Sequence, residues 1–170
     1  MKRDIVIFLH DCGNETTQWY QLYTAGICIY DSCDVDVVFL EIVECRIMQP
    51  ATWISLFHLA FPLLMGEIGA KSVSLVGYGR GADAMYGITY PCKIIAINPR
   101  TTPIKSDQRN NVYLITTKRD EDRNDDLDDL SRIHTISDQD IEHCKLTHSS
   151  KTRLEFSVSL RGLIMSILKS

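Results

Sequence analysis

The chain's 170 residues suit one domain with room for a real core, and its 45% hydrophobic and 24% charged residues are those of an ordinary globular protein. A net charge of -4 argues against nucleic-acid binding, for which a basic face is expected. The longest apolar stretch, Trp53 to Met65, is interrupted by Ser55, His58 and Pro62 and is too short to span a membrane.

The first element is Ile5-Val6-Ile7-Phe8-Leu9, a continuous apolar run of the kind found in a strand buried on both faces. Only these five apolar residues precede His10, too few for the apolar region of a secretory signal. A cytoplasmic location follows as the expectation. The six cysteines (Cys12, Cys28, Cys33, Cys45, Cys92, Cys144) lack paired metal spacing and read as reduced thiols, mostly small buried hydrophobes. No cofactor and no metal site is expected.

Ile27-Cys28-Ile29-Tyr30 reads as a short additional strand, and Val35 to Val43, rich in β-branched residues, as a longer one. Ala51 to Gly69 reads as a helix, with Pro50 as its start signal and Pro62 as the place for a kink. Leu56, Leu59, Ala60, Leu63 and Leu64 recur along it at helical spacing. Then come a strand at Val73–Val76, a short helix from Ala82 toward Tyr86, and strands at Lys93–Ile97 and Val112–Ile115. The acidic stretch Asp120–Asp129 leads into a short helix, Ile133–Ile136 is a last strand, and Arg153 to Leu168 closes the chain as an amphipathic helix. Alternation of this kind predicts an α/β fold, a three-layer sandwich with a mostly parallel sheet, in a single domain over residues 1–170.

The run Val73-Ser74-Leu75-Val76-Gly77-Tyr78-Gly79-Arg80-Gly81-Ala82 carries the most information. An apolar strand breaks into a Gly-flanked turn and then a helix, the shape of the G-x-S-x-G elbow whose central serine attacks the substrate. Here the central residue is Gly79, which has no side chain to attack with. Small residues at 77 and 81 are what close approach of strand and helix demands. The same glycines also serve a tight turn chosen only for packing. Neither a P-loop nor G-x-G-x-x-G fits, since no Gly-Lys-Ser/Thr follows and Gly81 comes one position early.

Taken in order, the motifs resemble the α/β-hydrolase superfamily, and within it the small lid-less bacterial esterases of the YqiA type. Phe8-Leu9-His10-Asp11-Cys12-Gly13 is similar to the segment that carries the oxyanion loop, and Gln18-Trp19 to the start of the next helix. Ile97-Asn98-Pro99 with Pro103 resembles the turn after the following strand. The resemblance implies Asp120 as the catalytic acid and His148 as the catalytic histidine, with Asp122 and His143 as competing positions. It gives His10 a supporting role beneath the oxyanion loop. A cap between Ile97 and Val112 has no room.

Two residues depart from that pattern at the reacting centre. Gly79 removes the nucleophile, and Asp11 puts a carboxylate where the family carries glycine and where negative charge would develop. Loss of ester hydrolysis is the expectation, leaving a binding or scaffold protein whose partner is a small acyl or anionic ligand or another protein. Tyr78 and Arg80 flank the turn and are candidates to line the emptied pocket, Arg80 as a site for an anionic group. The alternative is an esterase or thioesterase that works through Cys12 as surrogate nucleophile, or through water activated by His148 and Asp120.

Overall fold

The structure is a computed structural model and describes residues 3–10, 26, 29–40, 49–99, 111–117, 133–136 and 158–170. Its elements in chain order are β1 (Asp4–Leu9), β2 (Val35–Leu40), α1 (Pro50–Ile68), β3 (Ser72–Tyr78), α2 (Arg80–Met85), β4 (Lys93–Ile97), β5 (Asn111–Thr117), β6 (Ile133–Ile136) and α3 (Val158–Lys169). The strands form one six-stranded sheet in the order β2-β1-β3-β4-β5-β6, and every pairing is parallel. Helices cover both faces, so the architecture is the expected α/β sandwich, a minimal α/β-hydrolase-type fold with no lid among the described residues.

Burial on both faces explains why the central strands β1 and β4 read as nearly continuous apolar runs. Side chains alternate across a strand. Ile5, Ile7, Leu9, Val73, Leu75, Ile94 and Ala96 enter the core beneath α1 and α2. Their neighbours Val6, Phe8, Val76, Tyr78, Ile95 and Ile97 enter the opposite core, which Ile164 and Ile167 of α3 close. A single-residue register slip would exchange the two sets between cores of different shape.

Residues 29–32 are helical, which corrects the strand expected at Ile27–Tyr30 for its last two positions. The reason is tertiary. Ile29 is 1% exposed and docks on the α3-side core, while Tyr30 and Asp31 face outward, so the segment buries one residue rather than every second one. α2 begins at Arg80, two residues earlier than expected, because the Gly79 carbonyl already accepts the Asp83 N–H at 3.2 Å.

α1 starts at Pro50, as the proline signal implies, and ends in a left-handed Gly69 whose N–H returns to the Met65 carbonyl. It runs through Pro62 without interruption. Trp53, Phe57, Phe61 and Met65, four residues apart, form the face that it buries. The stripe that identified the helix in the sequence therefore points elsewhere: Leu64 is partly buried, but Leu56, Leu59 and Leu63 are exposed. Over Ala51–Ile68 the helix is long and apolar enough to cross a membrane, with mean hydropathy 1.3. Its aromatic face instead lies on the sheet.

α3 is tied to the sheet at its C-terminal end. Lys93 Nζ donates to the carbonyls of Ile167 at 2.8 Å and Leu168 at 3.4 Å, placing a cation where the last helix carbonyls lack intrahelical backbone partners. The ammonium also sits over the Tyr113 ring.

The core carries an alkaline liability. Burial pushes the Cys92 thiol from 9.0 up to about 12, and burial followed by the nearby Asp83 charge raises Tyr86 as well. Between pH 9.0 and about 12 the unfolded chain gives up a Cys92 proton that the folded chain keeps, so stability falls as pH rises through this window. Urea titrations should show a midpoint declining with pH above 9.0, and Cys92→Ala should flatten the first part of that decline.

Candidate functional site

Parallel α/β sheets place ligands at the carboxyl ends of strands, where successive crossovers leave for opposite faces. In this sheet the strand order reverses between β1 and β3. The crossover that follows β1 reaches the α3-side core through Ile29, whereas the one that follows β3 reaches the other core through α2. The topology therefore puts the position for such a crevice beyond Leu9 and Tyr78, with His10 and Gly79 as the first residues past the strands.

Gly79 is the conformational centre. Its φ of 55° and ψ of -119° match the first central position of a type II′ turn, a backbone region that side chains other than hydrogen occupy only under strain. Its N–H continues the ladder to the Ile97 carbonyl at 3.0 Å, and its carbonyl opens α2. One strand further along, Asn98 has φ 45° and donates its N–H to the Ile115 carbonyl at 2.8 Å. Asparagine is among the few residue types that tolerate such a φ. Both strands are thus continued by one ladder bond before the chain turns away.

The flanking glycines are fixed by contact. A methyl group on Gly77 would lie 2.7 Å from the Ala82 nitrogen and from the end of Met85. One on Gly81 would lie 2.6 Å from the His10 carbonyl oxygen and 2.7 Å from that of Leu9. Gly77 thus lets α2 fold back on its own strand, and Gly81 lets it press against the end of β1. The sequence spacing reports both contacts correctly.

His10 is 1% exposed, the one buried polar residue among those described. Tyr78 is 4% exposed and belongs to the α3-side core, so its ring packs the sheet rather than forming an open wall. Arg80 is half-buried at the first position of α2. Asp11, Cys12, Asp120 and His148, with their competitors Asp122 and His143, lie outside the described residues. Gln18, Trp19 and Pro103 lie outside them too. Among the described residues no group of three His, Cys, Asp or Glu side chains is placed to hold a metal ion.

One residue of the arrangement escaped the sequence reading. His58, which reads there only as an interruption of an apolar stretch, places Nε2 2.6 Å from the Ala84 carbonyl and joins α1 to α2. Its ring also lies where a side chain on Gly87 would go. The available signal was a single imidazole on a helix otherwise free of charge until Glu67. A pocket bounded by Arg3, Tyr30, Cys33 and Asp34 lies at the amino ends of β1 and β2, the far end of the sheet from Gly79.

Taken together, the reversal of strand order and the strand–turn–helix at Gly79 define a protein with the fold of the α/β hydrolases. Among solved structures, a protein from Xanthomonas campestris pv. campestris assigned to the hydrolases of the α/β superfamily aligns over 99% of both chains, with a TM-score of 0.58 and 11% sequence identity. At that identity the likeness is one of fold. No family model matches the sequence, and no curated protein matches it.

Proposed function

We propose that this chain is a hydrolase-fold protein that has lost its nucleophile and acts by binding, in the cytoplasm, with a small acyl or anionic ligand or a protein held at the Gly79 crevice. The observation that carries the reading is that the residue at the centre of the turn is a glycine in a positive-φ conformation. In a nucleophile elbow the attacking hydroxyl stands at this point. Here the turn offers main chain only.

Such a crevice still has chemistry of recognition. The first turn of a helix presents backbone N–H groups without intrahelical partners, and Arg80 adds a cation beside them. Asp120 and His148 fill the acid and histidine positions of the resemblance, in the chain order of the superfamily. The resemblance puts Asp11 where negative charge would develop, which favours binding over turnover.

The test is hydrolysis of short-chain aryl esters by the native chain, by His148→Ala, and by Gly79→Ser. The native chain is expected to match the uncatalysed rate. Turnover by the native chain that disappears in His148→Ala would overturn the binding reading and establish catalysis by activated water or by a surrogate such as Cys12. Activity gained on Gly79→Ser would identify the nucleophile as the missing part. That variant should also lose about 1–3 kcal/mol of stability, since serine must adopt the strained backbone of Gly79.

A further inference from the structure

We propose that the outer face of α1 is the contact surface of a two-fold homodimer, in which α1 packs antiparallel on α1 of a second copy. Among the described residues four large hydrophobic side chains are exposed, and three of them lie on this one face: Leu56 at 50%, Leu59 at 71% and Leu63 at 73%. Scattered exposed leucines are ordinary on a protein surface. Three at positions i, i+3 and i+7 of one helix make a continuous apolar seam of the sort that another helix covers.

The seam is self-complementary, which is the requirement of a two-fold contact. Laid antiparallel about a centre between Leu59 and Ala60, Leu56 faces Leu63 of the second copy and Leu59 faces its Ala60. Thr52 then faces Glu67. All six positions are exposed. The small Ala60 leaves a depression at the centre of each helix, and the opposing Leu59 fills it.

Charge fits the same register. Glu67 is the only charged residue of α1. The start of α1 carries no acidic residue in its first turn, and Gln49 makes no side-chain cap. Its N-terminal N–H groups hold partial positive charge. In the antiparallel pair each Glu67 arrives at the uncapped start of the other helix. A parallel pair would instead bring the two carboxylates together.

The same features disfavour a lipid surface. Helices that lie on membranes carry Lys and Arg along their polar face, whereas α1 has none and the chain's net charge is -4.

Sedimentation velocity of the native chain over a concentration series should show a species of twice the 19.4 kDa protomer mass. Leu56→Glu and Leu63→Lys, each exposed and away from the core, should be folded by circular dichroism yet monomeric. An equimolar mixture of the two should recover a heterodimer, because Glu at 56 then meets Lys at 63. A native chain that stays monomeric at every concentration overturns the proposal. So does a native dimer that both substitutions leave intact, or a mixture that fails to re-associate. Flotation of a monomeric native chain with phosphatidylglycerol-containing vesicles, abolished by Leu56→Glu, would assign the face to lipid instead and likewise overturn it.

Discussion

Gly81→Ala should lose about 3 kcal/mol of folding stability, at the upper end of what overpacking costs. The added methyl would meet the carbonyl oxygens of Leu9 and His10 at 2.7 and 2.6 Å, and the Leu9 carbonyl carbon at 3.0 Å. These are main-chain atoms at the end of a buried strand, so no rotamer change relieves the contact. Either α2 lifts from β1 or the sheet end bends. Gly162→Ala on α3 provides the opposite case, with nothing within 4 Å of its methyl. There the lower backbone entropy of alanine should stabilise by about 0.5–1 kcal/mol. Urea midpoints moving in opposite directions would show that Gly81 is held by contact; equal and small shifts would disprove it.

The second large effect lies in α1. Phe61→Ala should cost about 3–5 kcal/mol, the range for truncating a buried aromatic side chain that leaves a cavity. Phe61 is 1% exposed, lies 5.5 Å from the Phe57 ring and meets Tyr90 edge-on at 5.9 Å. Domains of this size have total stabilities of about 5–15 kcal/mol, so this single change removes a large share. Leu63→Ala, two residues along on the outer face, should change folding stability by no more than about 0.5 kcal/mol in dilute protein. A comparable loss from both would mean that the helix is buried on both sides.

That contrast between two faces also marks where the sequence could be read and where it could not. The glycine spacing at Gly77, Gly79 and Gly81 was legible because each position has one local cause, a positive φ or a main-chain contact. The strands at Val73, Lys93 and Val112 were legible because burial on both faces leaves nearly continuous apolar runs. α1 could be recognised as a helix, but its apolar residues encircle it, so periodicity had two stripes to choose from. Aromatic volume decides the matter: Trp53, Phe57 and Phe61 fill the space over the sheet, and the leucines are left outside. The helical residues 29 and 30 misled for a related reason, since four apolar or half-apolar residues in a row carry no period. At the site, His10 and Gly79 meet at the reversal of strand order, a relation that depends on which strands are neighbours and not on their spacing in the chain.

A crevice assembled from main chain behaves unlike a pocket lined with side chains. The opening turn of α2 carries amide groups that every residue type shares, so under the proposed binding role truncating neighbours to alanine leaves those atoms in place. Scanning mutagenesis of the usual kind would pass over such a surface and report it as inert. Substitutions that add atoms, at Gly77, Gly79 and Gly81, are the ones that register there. The same property lets sequence drift widely around the crevice while its shape persists, provided that these three positions keep their hydrogens.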